Sequence, residues 1–286
     1  MRIAVIGANG QLGSDLSLAF QQNHDEVFEL NHDAFDITDF EKSKSVLSAI
    51  KPELVINTAA FHNVDKCETE THQAFLVNGH GARNLAMLSN ELTYTLYHLS
   101  TDYVFDGKKN SPYVESDCVC PLNVYGNTKA SGEFFVRTIA EKSLVIRVSG
   151  IYGVNPCRAK GGLNFVQTML KLAKEKPEVK VVGNEFLTPT PTAEIARQLV
   201  HISRSDLTGV CHATAEGVCS WFEFAKEIFT LKKITTPLFE AKPGDFPIKT
   251  PRPLYSVLEN SLLKKNNLNI MRDWNIGLRE YLEKVV

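Results

Sequence analysis

Arg2-Ile3-Ala4-Val5-Ile6-Gly7-Ala8-Asn9-Gly10-Gln11-Leu12-Gly13 opens the chain, and its reading decides the fold. A short apolar run ends in three glycines spaced three residues apart. Leu12 then begins a stretch that reads as helix to Gln22. A strand that turns through glycines into a helix is the start of a βαβ unit. Glycine at such a turn lets the backbone come close to a pyrophosphate seated on the helix N-terminus. Gly7, Asn9, Gly10, Gln11, Leu12 and Gly13 are therefore candidate dinucleotide-binding residues. The spacing is G-x-x-G-x-x-G, not the commoner G-x-G-x-x-G, and a glycine turn with a structural role only stays open on this motif alone.

Outward from that turn the pattern repeats. Strands are predicted over Glu26–Leu30, Leu54–Asn57, Tyr94–Leu99 and Leu144–Val148, with helices over Asp39–Ile50, Glu70–Asn90 and within Pro121–Ala140. Near-continuous apolar strands alternating with helices suit a parallel sheet covered on both faces. The second half is less regular. A helix is opened by Gly161-Gly162-Leu163-Asn164, a strand covers Lys180–Gly183, a helix Thr192–Ser203, a strand Gly209–Ala213 and a helix Ser220–Leu231. Pro243–Pro253, with four prolines and one glycine, reads as loop. The expected fold is α/β: a Rossmann-type doubly wound parallel sheet with a small C-terminal substrate-binding lobe. Residues 1–154 would form the dinucleotide-binding domain, with 181–205 returning to it, and 155–180 and 206–286 the lobe.

Length and composition narrow the function classes. The chain has 286 residues, 43% hydrophobic content and a net charge of −2, enough for a sizeable core and without the basic stripe expected of a nucleic-acid binder. No apolar run approaches the ~20 residues of a membrane span. The N-terminus runs straight into a strand rather than a signal peptide, which predicts a cytoplasmic protein without membrane partners. Six scattered cysteines and eight histidines show no metal-ligand spacing, so idle thiols are expected rather than a disulfide framework.

Two further stretches carry chemistry. In Tyr125-Gly126-Asn127-Thr128-Lys129 the tyrosine and lysine share one helix face. An ammonium beside a phenol favours the phenolate, which makes tyrosine usable in acid–base catalysis. Ser100-Thr101-Asp102-Tyr103-Val104-Phe105-Asp106-Gly107 follows a predicted strand, at the carboxyl end where open α/β sheets bind ligands. Thr101 can hydrogen-bond a substrate oxygen there, and Asp102 can anchor a loop or touch the substrate.

With these residues the sequence resembles the extended short-chain dehydrogenase/reductase family, and within it the dTDP-4-dehydrorhamnose reductases. The resemblance rests on Gly7–Gly13, Asn57-Thr58-Ala59-Ala60, Val64–Glu68, Asn78, Ser100–Gly107, Pro121–Gly126, Lys129, Asn164-Phe165, Thr188-Pro189-Thr190, Cys219-Ser220-Trp221 and Arg252-Pro253-x-x-Ser256. It implies NAD(P)H-dependent reduction of a nucleotide-linked 4-keto-6-deoxysugar. Tyr125 would give a proton to the C4 keto oxygen, Lys129 would lower the tyrosine pKa and bind the nicotinamide ribose, and Thr101 would take the family's serine role. Asp102 and Tyr103 would line the substrate pocket, with Asn164, Phe165 and Arg252 near the diphosphate. Ala59, Ala60 and Asn78 would belong to the cofactor site.

Two departures bear on the substrate. Gly150 in Val148-Ser149-Gly150 stands where the family often has tryptophan, which is expected to leave room in the pocket. Phe61-His62-Asn63 also differs from the usual pair. His62 reads as a surface-loop residue, Trp221 and Phe222 as core, and Asp65 and Glu68 as a solvated face. Some family members use magnesium at a dimer interface; no compact carboxylate cluster here calls for it, so no metal is expected, while a homodimer is compatible. For the adenine ribose, strand alternation and a distance of about 20 residues point to Asn31, a neutral residue that admits a 2′-phosphate. NADPH is expected, with NADH also used. Two other readings stay open: a sugar-nucleotide epimerase, and a non-catalytic NADP-binding subunit similar to the beta subunit of methionine adenosyltransferase. Dehydration is disfavoured, because Tyr103 stands where dehydratases carry glutamate.

Overall fold

The structure, a computed structural model, describes residues 1–156, 161–242, 244–246 and 250–285. Its opening stretch forms β1 (Arg2–Ile6) and α1 (Gln11–Gln22). Chain order continues with β2 (Glu26–Leu30), α2 (Phe40–Ile50), β3 (Leu54–Asn57), α3 (Ala82–Leu92), β4 (Thr95–Thr101), α4 (Val124–Ile139) and β5 (Ser143–Val148). Then come α5 (Phe165–Glu175), α6 (Thr192–Ile202), β6 (Gly209–His212), α7 (Trp221–Leu231) and α8 (Trp274–Lys284). Six strands lie in the order β2-β1-β3-β4-β5-β6, every neighbouring pair parallel. The chain reverses its direction of travel across the sheet between β1 and β3, the switch point at which such sheets open a crevice.

Alternation along the strands divides the core in two. Ile3, Val5, Ile56, Leu99 and Ile146 face α1 and α6, where Leu16, Phe20, Ile195 and Leu199 meet them. Ala4, Ile6, Val55, Leu96 and Val145 face the opposite layer, with Leu47, Leu85, Leu88 and Val136 of α2, α3 and α4. Each fully buried leucine or isoleucine contributes on the order of 1.5–3 kcal/mol, so both layers are held by the same term. A third cluster joins α5, α7 and α8 through Val166, Phe224, Phe229, Leu278 and Tyr281. A two-stranded parallel pair, Val179–Val181 with Leu238–Glu240, lies beside it.

Three expectations are corrected. Gly209–His212, assigned with 206–286 to the lobe, is the sixth strand of the main sheet, because buried Cys211 and Ala213 continue the apolar layer beyond β5. Leu263 and Met271 pack into that layer too. Val181, expected to return to the sheet domain, instead packs in the third cluster, and the return begins with α6. The single helix expected over Glu70–Asn90 is broken by a π-helical turn, Leu76–Gly81, between Thr71–Phe75 and α3. Cys157 and part of the Pro243–Pro253 loop lie outside the described residues. The other five cysteines are free thiols.

Candidate active site

At the carboxyl ends of β1, β3, β4 and β5 the crevice opens into a cavity of about 650 Å³. One end is made of backbone. Gly7 has φ +77°, and a Cβ there would stand 2.7 Å from Thr58 Oγ1. A Cβ on Gly13 would meet the Gly7 carbonyl oxygen at 2.2 Å. No side chain caps α1 at Gly10, and the first amides of a helix have no intrahelical partner. An anionic group fits this turn where a side chain does not. Asn9, Gly10, Gln11, Leu12, Ala59 and Ala60 line the same end.

The reacting groups come from the first turns of α4 and the end of β4. Asn123 caps α4, its Oδ1 accepting from the Gly126 N–H at 2.8 Å. Gly126 is needed beside Tyr125, because a Cβ there would lie 2.3 Å from the Tyr103 carbonyl oxygen. The close approach sets the Tyr103 and Tyr125 rings edge to face with centroids 5.8 Å apart. Burial pushes the Tyr125 phenol well above its ordinary range, and a hydrogen bond with Thr101 pulls the other way. Lys129 is 2% exposed. Burial brings it down to about 8, opposed by Glu133, and its Nζ donates to the Leu99 carbonyl at 2.6 Å. Desolvation is the largest influence on the phenol. Behind Lys129, Glu133 takes a bidentate pair of bonds from Arg147, at 2.9 and 2.7 Å, and a third from Ser100 Oγ at 2.5 Å.

Gly7, Gly13, Thr101, Asp102, Tyr103, Tyr125, Lys129, Asn164 and Phe165 all line this cavity together with the residues already named. Several have different engagements from those expected. Asp102 is buried, and its carboxylate accepts from Thr101 Oγ1 (3.0 Å), Ser149 Oγ (2.9 Å) and Ser256 Oγ (2.5 Å). Asn164 caps α5 in a reciprocal bond with Gln167 and gives its Nδ2 protons to the Gly153 carbonyl and Tyr281 Oη, both at 2.8 Å. It shapes the wall with its donors already engaged. Asn78 does not line the cavity. From the π turn it clasps Phe61, accepting from its N–H at 2.8 Å and donating to its carbonyl at 3.0 Å, and also donates to Thr128 Oγ1. Arg252 is exposed; it stands outside the wall and acts electrostatically on Tyr103 and Glu185. Asn31 is not on the wall either. Its carbonyl closes a turn to Ala34 and Phe35, and that turn brings His32, Phe35, Asp36 and Ile37 to the cavity in its place.

Some wall residues had no clear signal. His62, read as a loop residue, and Trp221, read as core, both line the cavity. Phe165 and Trp221 have ring centroids 4.5 Å apart. Glu185 also lines it, its carboxyl raised by burial and lowered by Arg252 and a hydrogen bond from Trp221. Asp65 and Glu68 do more than face solvent: Asp65 accepts from Thr250 Oγ1 and Glu68 from the Val124 N–H. The room expected at Gly150 is closed, since a Cβ there would lie 2.6 Å from Leu187 Cδ1. Among the described residues, no group of three or more His, Cys, Asp or Glu is arranged to hold a metal, and no helix is long and apolar enough to cross a membrane.

Over residues 1–286 the chain matches the model of a family described as the RmlD substrate binding domain. It is 38% identical to a spore coat polysaccharide biosynthesis protein, SpsK, of Bacillus subtilis, over 99% of this chain and 97% of that one. A solved dTDP-4-dehydrorhamnose reductase from Clostridium acetobutylicum is 37% identical and superposes with a TM-score of 0.95, covering 100% of this chain and 99% of that one. Another, from Bacillus anthracis and in complex with NADP, is 33% identical with a TM-score of 0.94, covering 99% of each chain.

Proposed function

Because the chain belongs to the RmlD substrate binding domain family, we propose that it reduces the C4 keto group of a dTDP-linked 4-keto-6-deoxysugar with NADPH. The observation that carries this reading is one cavity lined both by the glycine turn and by Thr101, Tyr125 and Lys129. The glycine cradle at Gly7, Gly10 and Gly13 would hold the pyrophosphate, and Lys129 the nicotinamide ribose. When bound, NADPH supplies the hydride that C4 receives. Tyr125 gives its proton to O4, so that the ketone becomes a secondary alcohol. Burial of its phenol suits this direction, since the group must be protonated before it can donate. Lys129, held by the Leu99 carbonyl, keeps a positive charge beside the forming phenolate at neutral pH. Phe165 and Trp221 would offer the base an aromatic wall, and Arg252 would meet the diphosphate at the mouth. His32 and Asp36 take the ribose-facing role first given to Asn31; the imidazole favours NADPH, and the carboxylate leaves NADH usable. We place the activity in the cytoplasm, where both cofactors are supplied.

The test follows NADPH oxidation with a panel of dTDP-4-keto sugars and reads the product configuration at C4 by NMR. Stoichiometric oxidation with a C4 alcohol as product supports the reading. Tight NADPH binding without turnover on any of them would point instead to a regulatory subunit. Interconversion of sugars without net cofactor oxidation would point to an epimerase.

A further inference from the structure

Asp102 poses a question that the reductase reading leaves unanswered. Its carboxylate is 4% exposed, and among the described residues no lysine, arginine or histidine forms an ion pair with it. A buried charge in that state is costly unless hydrogen bonds replace its hydration. Burial raises its carboxyl above the usual range and three hydroxyl bonds oppose this, each from a different part of the chain: Thr101 from the end of β4, Ser149 from just beyond β5, and Ser256 from the segment that carries Arg252. That segment is held elsewhere as well, against the loop beyond β4 and against Phe186. Gly107 fits only without a side chain, since a Cβ there would be 2.6 Å from the Leu254 nitrogen, and Ser256 N–H donates to the Phe186 carbonyl at 2.8 Å.

The hydroxyl of Thr101 has one proton and two lone pairs. Its proton goes to Asp102 Oδ1, and its oxygen accepts from the Tyr103 N–H at 3.2 Å. Both bonds fix the rotamer of the side chain, which lines the cavity together with Tyr125. The Asp102 charge acts on Tyr125 in addition, favouring the protonated phenol.

We propose that Asp102 is a positioning residue for the reduction: it fixes the Thr101 hydroxyl beside Tyr125 and, through Ser256, ties that hydroxyl to the substrate-side loop. The inference rests on the reductase reading. It assigns Asp102 a task other than contact with the sugar, because both carboxylate oxygens are already engaged by protein hydroxyls. It also gives Ser256 and Ser149 a share in catalysis through Thr101.

A double-mutant cycle on the full chain tests this, with NADPH and an accepted dTDP-4-keto sugar. Ser256→Ala is expected to lower kcat by roughly tenfold, the scale of one hydrogen bond to a charged group, with KM for the sugar changed less than about threefold. In a Thr101→Ala background the same substitution should lower kcat by less than about twofold, because the hydroxyl it helps to hold is already gone. Equal losses in both backgrounds would mean that Ser256 only supports the fold, and would overturn the proposal. So would an unchanged kcat. Ser149→Ala, run through the same cycle, decides the matter should Ser256→Ala fail to fold. Wild-type turnover without coupling removes this inference alone, whereas absence of wild-type turnover removes the reductase reading and this inference with it.

Discussion

At the glycine end of the cavity the wall is backbone, held by the absence of side chains at Gly7 and Gly13. At the opposite end it is side chains already bonded to one another: Asn164 to Gly153 and Tyr281, Glu185 to Trp221, and Asp102 to three hydroxyls. The first end can be read from spacing, because a glycine needed for close approach leaves a gap in the side-chain pattern. The second cannot, because its partners lie far apart in the chain; Asp102 and Ser256 are 154 residues distant. The difference also predicts how each end responds to change. A backbone cradle fails when anything is added to it, whereas a bonded wall loses one contact at a time.

The largest effect is expected between the two ends. Tyr125→Phe should lower kcat by about 10²–10⁴, the range of general acid catalysis, while the NADPH dissociation constant stays within a few-fold of wild type. Retention of more than half of wild-type kcat would mean that another group donates the proton. At the glycine end, Gly13→Ala should weaken NADPH binding by roughly 10–100-fold, since its Cβ would meet the Gly7 carbonyl at 2.2 Å and overpacking costs about 1–3 kcal/mol. Titration by fluorescence reads this directly, and unaltered affinity would break the contrast between the two ends. Lys129, brought down to about 8 by burial, carries its charge below that pH and loses it above. The log of kcat should therefore fall with increasing pH on a limb near 8, by up to tenfold per unit. A flat profile from 7 to 9 would mean that the lysine charge is not used. The smallest effect belongs to the bonded wall: Trp221→Ala should raise KM for the dTDP sugar by roughly 5–10-fold, the scale of one stacking contact, with kcat nearly unchanged. An unchanged KM would move the base elsewhere in the cavity.

The sheet was legible in the sequence because each strand carries its own evidence. β1 to β5 alternate between two apolar layers, and a helix-length amphipathic stretch separates each from the next. β6 is not legible in this way, because a strand of four residues carries no mark of which sheet it joins. Tyr125, Lys129 and Thr101 were legible as a local pattern on one helix face and one strand end. Asn31 was misplaced for a different reason. Counting along a strand takes no account of the turn that follows it, and the Asn31–Phe35 turn advances the cavity wall to His32 and Asp36. Gly150 was read as an opening because a missing side chain says nothing about which neighbour fills its place. Leu187, 37 positions further on, does so.

The π turn at Leu76–Gly81 has a consequence for how this chain can change length. An α-helix turns by about 100° per residue, and a π turn absorbs one residue more than the same span of α-helix would hold. Deleting one residue between 76 and 81 would restore regular α-helix and leave the helices on either side facing as they do, but it would redistribute the residues within the turn that carries Asn78. Asn78 would swing off Phe61 and Thr128, while Leu85 and Leu88 kept their places in the core layer below. Side chains facing solvent on this segment are free to vary, while its residue count is fixed, so insertions and deletions that accumulate in the surface loops should be absent from these six positions.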